Sequence, residues 1–144
     1  MYLDLIPKIK TVLDTLTGTG QKISTVYDYP TSEIKGYPAV IFKPAPFENI
    51  WLTNMENRIG YQFKIWVIQE ANVKDLQKAQ NIILAGAVDD VIAAFDASWD
   101  QGANADGHLY WWQLTTGEWM TAVEKDGQEI YVEMDLIINT INNN

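Results

Sequence analysis

The chain has no cysteine and one histidine in 144 residues. The first absence excludes disulfides, thiolate nucleophiles and thiolate metal sites, and gives no support to an oxidising compartment. The second excludes the paired-histidine signatures of zinc enzymes; no nucleophile elbow and no supported Asp-His-Ser set accompanies it. No apolar run is long enough to span a membrane. The opening Met-Tyr-Leu-Asp-Leu-Ile-Pro-Lys lacks the basic and apolar regions of a secretory signal, so an intracellular product is expected. Positive charge is also scarce in one half. Residues 79–144 hold one basic residue, Lys125, against eleven acids, whereas residues 1–78 hold nine Lys/Arg against eight Asp/Glu. The net charge of −9 therefore belongs almost wholly to the second half. Such a surface cannot grip phosphates, but it could line a passage through which DNA slides by like-charge repulsion. Keeping the protein soluble is the plainer use of the same acid.

What remains is an ordinary globular composition, 47% hydrophobic and 20% charged, sized for a single domain over residues 1–144. Six Trp and seven Tyr are generous, and such side chains either fill a core or make contacts.

Leu5, Ile6, Ile9, Val12, Leu13 and Leu16 recur at helical spacing and predict an amphipathic helix over 4–17. Asp4 suits its N-cap, Pro7 its first turn, and Gly18-Thr19-Gly20 its stop. That Gly-x-Gly follows a helix and lacks the Lys-Ser/Thr ending of a phosphate loop. Strands are expected over 22–28, 38–43 and 58–69. In the last, Ile59, Tyr61, Phe63, Ile65 and Val67 alternate with polar or small residues, and Trp66 and Ile68 then imply cover on both faces. A second helix is expected over 73–95, with Leu76, Ile83, Leu84, Ala87, Val91 and Ala94 facing the core. Ala79, Gly86 and Ala93, with Ile82 beside them, form a second stripe that would let the first helix or a neighbouring subunit approach closely. A loop over 96–107, a strand over 108–115, a break at Thr116-Gly117 and a closing hairpin complete the chain. The expected fold is α+β: a mostly antiparallel sheet of about five to six strands packed against two helices, in the order α-β-β-β-α-β-β-β.

The closing hairpin is the sharpest local signal. Asp126-Gly127 is a two-residue turn dipeptide, both positions favouring φ > 0. Counting outward pairs Val123 with Ile130, Thr121 with Val132 and Trp119 with Met134 on a buried face. The other face then sets Glu124 against Glu129 and Glu118 against Asp135. Like charges directly across a ladder repel, so that face is expected to be wet or to meet a positive partner.

Three places could hide chemistry. The stretch 96–107 offers oxygen ligands at Asp96, Ser98, Asp100 and Asn104, but Gln101 and Gly107 stand where a calcium loop needs Gly and a bidentate Glu. His108 is a lone imidazole beside a glycine, and no pair of carboxylates is marked. No enzyme activity, metal or cofactor is therefore expected. The segment 44–57 is more telling, because it joins two strands yet carries Phe47, Ile50, Trp51, Leu52 and Met55. Apolar residues on so long a connection indicate a contact surface, a lid on the core, or strands extended into a long hairpin.

Taken together, the opening helix over 3–16, Val26-Tyr27, Tyr37-Pro38-Ala39-Val40-Ile41-Phe42, the strand opening Glu56-Asn57-Arg58-Ile59-Gly60-Tyr61-Gln62-Phe63, the long helix after Val73 and the acidic closing hairpin carry a likeness. The chain resembles the tail terminator, or tail completion, proteins of long-tailed bacteriophages, over nearly its whole length. The resemblance implies an α+β fold, no catalysis and no cofactor. It also implies a homohexameric ring that caps the tail tube, ends its polymerisation and offers a surface to the head-completion connector. Its partners would be further copies of itself, the major tail tube protein and the connector. DNA would pass through unbound and no membrane would be involved. The protein would be assembled in the host cytoplasm and reside at the head-proximal end of the tail. On this reading Phe47, Trp51, Leu52, Met55, Ala79, Ile82 and Gly86 are candidates for subunit or tube contacts. Glu118, Glu124, Glu129, Glu133 and Asp135 are candidates for an acidic channel or partner face. The rival readings are another connector or neck protein of the same virion, and a small acidic enzyme or ligand-binding domain.

Overall fold

The computed structural model describes residues 2–53, 55–71, 75–100, 109–124 and 127–143. Helix α1 (Tyr2–Asp14) is followed by strands β1 (Thr25–Tyr27), β2 (Ala39–Trp51) and β3 (Glu56–Ala71). Helix α2 comes next, built from an α-turn at Leu76–Lys78, a π-helical stretch at Ala79–Leu84 and an α-helix at Ala85–Ala97. Strands β4 (Leu109–Glu124) and β5 (Gly127–Asn143) close the fold. The five strands make one sheet in the order β1-β2-β3-β5-β4, antiparallel except for the parallel pair β1 and β2. The α+β architecture, with two helices and a mostly antiparallel sheet, is the one the sequence led us to expect. The separate strands expected before and after Thr116-Gly117 are a single strand, β4, which absorbs the break as a bulge between Leu114 and Thr116.

One face of the sheet carries the core. Phe42 from β2, Phe63, Ile65 and Val67 from β3, and Ile130, Val132, Met134, Leu136 and Ile138 from β5 are all buried there. Helix α1 covers them with Leu5, Ile9 and Leu13, spaced at i, i+4, i+8 so that one stripe meets the sheet. The helix ends at Asp14, short of the expected residue 17, and in the turn that follows Gly18 and Gly20 take φ of 113° and 82°, left-handed values that glycine adopts at no steric cost. Phe95 of α2 meets Trp112 of β4 edge to face at 5.3 Å, and the Trp112 indole donates to the Phe95 carbonyl at 3.1 Å. That bond lets a polar aromatic be buried without an orphaned donor.

The core stripe of α2 departs from plain 3.6 periodicity. Ala79 and Leu84, five residues apart, are both buried, as the wider π turn dictates, and Ala87, Val88, Val91 and Phe95 continue inward at α spacing. Leu76, Ile83 and Ala94, expected at the centre of the stripe, are half-buried instead. The second stripe is likewise corrected. Ala79 lies in the protein's own core, and a Cβ added at Gly86 would sit 3.4 Å from Lys22 Nζ, so the loop before β1 occupies that approach. Ile82 alone of the three candidates projects into solvent.

The closing hairpin keeps its faces but slips by two residues. Glu124 pairs with Gly127, Thr121 with Ile130, Trp119 with Val132, Glu118 with Glu133 and Thr116 with Asp135. Glu129 stands opposite Ala122, and the expected pairs Glu124–Glu129 and Glu118–Asp135 do not form. A slip of two preserves every inward and outward assignment, so the alternation of apolar residues cannot detect it. Strand β5 is paired along its other side with β3 from Asn143 back to Gln128, and that pairing holds it in place while β4 adapts through its bulge. Trp119 and Thr121 lie on the helix side as expected, but at the sheet edge they are exposed instead of buried.

Truncating a central residue should be costly and truncating the outlying hairpin should not. Phe63→Ala is expected to lose about 3–5 kcal/mol of unfolding free energy. Phe47→Ala should stay within about 0.5 kcal/mol of the parent, as for substitutions at exposed positions. Urea midpoints at a fixed slope measure both.

Candidate interaction surface

Of the three readings open for segment 44–57, the structure shows the extended hairpin: β2 and β3 run on into a long arm. Trp51 pairs with Asn57 and Ile50 with Arg58, and a bulge between Ala45 and Glu48 bends the arm. Its prolines fall on an edge. Strand β1 covers only Ala39–Ile41 of β2, so beyond that point the outer side of β2 has no strand partner and Pro44 and Pro46 forfeit no ladder bond there. The Tyr2 hydroxyl donates to the Ala45 carbonyl at 2.9 Å and caps one of the free acceptors.

The side chains of the arm stay in water. Phe47 is 63%, Trp51 60% and Met55 65% exposed, and Leu52 and Ile50 are also exposed. Single exposed apolar residues are normal, but five within nine positions on one hairpin make a patch of the kind that marks a contact surface. The sheet beneath is fully packed without them. The structure therefore places Phe47, Trp51, Leu52 and Met55 together, and it leaves Ala79 apart from them in the core and Gly86 half-buried beneath the Lys22 side chain.

The acidic candidates separate into two groups. Glu129, Glu133 and Asp135 alternate along β5 on the face away from the helices, where β3 supplies partners that the hairpin alone does not reveal. Lys64 pairs with Asp135 at 2.5 Å, and the Thr116 hydroxyl adds a bond to the same carboxylate at 2.9 Å. The Trp66 indole donates to Glu133 at 3.2 Å and the Tyr37 hydroxyl to Glu129 at 3.1 Å. Lys43 lies 5.6 Å from the Trp66 ring centre, within cation–π range. Glu118, on the same face of β4, stands directly opposite Glu133 and makes no salt bridge among the described residues. Of Glu124 only its place as the last residue of β4 is described.

On the helix side, an apolar pocket of about 250 Å³ opens between α2 and the edge strand β4. Val88 and Ile92 form one wall, Leu114, Gly117 and Trp119 the other, with Met134 at the floor. Trp119 is 48% exposed at its lip. Sequence periodicity could not find this place, because it arises where the bulged edge strand runs past the helix. On the far face, Pro30, Ile41, Trp66, Ile68 and Tyr131 line a second open pocket of about 260 Å³; Ile41 and Ile68 are buried but Trp66 is half-buried, so the cover expected on both faces of β3 is only partial there.

Among the described residues no group of three or more His, Cys, Asp or Glu could hold a metal, and no helix is long and apolar enough to cross a membrane. The rejected calcium stretch lies mostly, and His108 wholly, outside the described residues.

The Lys64–Asp135 pair has a readable pH signature. Its hydrogen bond with Lys64 holds the Asp135 carboxyl below the usual carboxylate range, and the same bond raises the Lys64 ammonium above its usual value. Asp135 therefore adds stability above about pH 4 that is lost as pH falls through its lowered pKa, and the Lys64 share is lost only as pH rises beyond about 10.5. Both groups are about one-third exposed, so the pair contributes within the range of about 0–1 kcal/mol found for surface pairs. Asp135→Asn should flatten the fall in urea midpoint between pH 5 and pH 3. No protein-family model matches the chain, and no curated protein matches it.

Proposed function

We propose that the chain is a structural virion protein that caps a phage tail tube as an oligomeric ring, ends tail polymerisation and forms the surface that joins head to tail. The observation that carries the reading is the hairpin arm, whose apolar side chains lie in water while the core is complete without them. A protein that works by being covered needs such a patch, and one that works by turning over a substrate does not. The likeness of residues 3–16, 37–42 and 56–63 to tail terminator proteins supplies the identity of the assembly, and the α+β fold is the one that likeness implies.

In this reading Phe47, Trp51, Leu52 and Met55 dock on the neighbouring subunit or on the last tube ring. The β4–β5 face turns Glu118 toward the channel or toward an electropositive connector. Glu129, Glu133 and Asp135 are held by Tyr37, Trp66, Lys64 and Thr116, so their charge is partly spent inside the sheet. Glu118 makes no salt bridge among the described residues, so its charge is left to offer. The acidic lining would let the genome pass without sticking, by repulsion of like charge.

Added to polymerising tube protein, the chain should stop tube growth, giving short tubes capped at one end in electron micrographs. Trp51→Ala should need at least about tenfold more protein for the same effect, as expected for truncating a central aromatic anchor. Glu118→Lys should cap tubes normally but lower the yield of DNA-filled, joined particles. Tubes that lengthen unchecked at every protein concentration would refute the proposal.

A further inference from the structure

The loop over 28–37 folds onto the far face of the sheet and borders the open pocket of about 260 Å³ there. We propose that this pocket receives an arginine side chain from a basic segment of a partner protein, its guanidinium lying against Trp66 and Tyr131 and bonded to Glu129. The inference goes beyond the proposed function: it uses neither ring nor tube, and stands or falls separately from them.

The walls are apolar and aromatic, and the one charge among them is negative. Ile41 and Ile68 form a buried floor, Trp66 and Tyr131 are half-buried beside it, Pro30 stands on the loop side, and Glu129 is the charged residue of the lining. The loop is pinned where it stands. The Tyr37 hydroxyl donates to Glu129 Oε1 at 3.1 Å, the Lys35 amide to the Tyr27 hydroxyl at 3.0 Å, and the Thr25 hydroxyl to the Gly36 carbonyl at 2.8 Å. The site is thus shaped before anything enters it, which lowers the cost of binding.

Strand register then says what charge the occupant carries. Tyr131 lies between Glu129 and Glu133 on β5, and each of these faces another glutamate across the ladder. Glu70 of β3 stands opposite Glu129, and Glu118 of β4 opposite Glu133. Like charges so placed repel, and none of the four makes a salt bridge among the described residues. Glu129 and Glu133 each accept a bond on one oxygen, from Tyr37 and Trp66, which leaves the other oxygen for a further donor. With Lys64 bound to Asp135, the four glutamates on this end of the face are set against Lys43, and the loop adds Asp28 and Glu33 against Lys35. Lys43 also shows what the aromatic wall attracts, because its ammonium lies 5.6 Å from the Trp66 ring centre. A guanidinium fits better than an ammonium here: it is planar, weakly hydrated, stacks on aromatic faces and offers paired donors to a carboxylate. Its alkyl stem would cover Ile41 and Ile68 while the head reaches Glu129. A pocket of this size takes one long side chain. Because it opens onto an acid-rich sheet, a basic segment is favoured along the rest of the face, whereas the carboxylate of a free amino acid is repelled.

The probe is a capped tripeptide, acetyl-Gly-Arg-Gly-amide, titrated at low salt into the nitrogen-15-labelled protein. The matching lysine and citrulline peptides and free arginine are the other arms. The Trp66 indole N–H resonance is expected to shift with a dissociation constant on the order of 1 mM for the arginine peptide. The lysine peptide and free arginine should bind at least about threefold more weakly, and the citrulline peptide, alike in shape but uncharged, at least about tenfold. Glu129→Gln keeps an acceptor for Tyr37 but removes the charge, and should weaken the arginine peptide about tenfold. Lys43→Ala removes a competing cation and should tighten it, whereas Glu48→Gln, out on the arm, should leave it unchanged. A citrulline or lysine peptide that binds as tightly as the arginine peptide would overturn the inference. So would unaltered binding by Glu129→Gln, shifts confined to resonances outside the pocket, or no shift at all at about 50 mM peptide, well above the expected constant. Free arginine binding more tightly than the peptide would overturn the assignment to a protein partner. None of these outcomes bears on whether tubes are capped.

Discussion

Everything in this fold depends on β5 lying between two strands. Ile130, Val132, Met134, Leu136 and Ile138 fill the centre of the core from one face, while Glu129, Glu133 and Asp135 line the other. A strand with strict alternation has only one way to present its apolar set to the helices, and a slip of one residue would expose all of it. Pairing with β3 on one side and β4 on the other fixes that choice along the strand. It also decides the chemistry of the far face, because β3 brings Lys64 to Asp135 and Trp66 to Glu133, which β4 alone would have left facing Glu118.

The same arrangement leaves the margins of the sheet unfinished. Strand β1 is three residues long against thirteen in β2, so most of β2 runs outward as an arm with no core of its own. Strand β4 bulges at Thr115 and departs from the helix, opening the pocket beside Ile92 and exposing Trp119. An exposed strand edge is a liability that proteins blunt with proline, bulges and charge. Each device is present here, with Pro44 and Pro46 on β2, a bulge in each marginal strand, and Glu118 on β4. These guard against indiscriminate pairing while leaving Phe47, Trp51 and Leu52 free for a specific one.

How much of this was legible in the sequence follows from what each residue's neighbours are. The alternation in 58–69 and 130–138 was readable because one face of each strand is buried, and the helix α1 because its stripe meets a sheet. The hairpin register was not, because a shift of two residues leaves every face unchanged and only β3, remote in sequence, separates the choices. The inward face of α2 is legible at Leu84, Ala87 and Val91, but Ala79 takes the inward place expected of Leu76 and Ile83, since nothing in Ala79-Gln80-Asn81-Ile82-Ile83-Leu84 announces a wider turn. The arm looked like a connection because its prolines and polar residues read as loop, and proline is tolerated in a strand only where an edge is free. The apolar residues on it stand out in the sequence, but only the structure shows that they are exposed and not folded back as a lid. The pocket had no signal at all, being a product of a bulge and a helix crossing.

The central claim is that two marginal surfaces, complete as folded structure, are built to be covered by other protein. Amide hydrogen exchange, followed from dilute protein to the concentration at which its mass rises, tests that most directly. The account predicts that exchange slows together along 44–51 of β2 and 112–121 of β4 while the amides of β5 stay as protected as before. Unchanged exchange on both margins, with mass still rising, would contradict it.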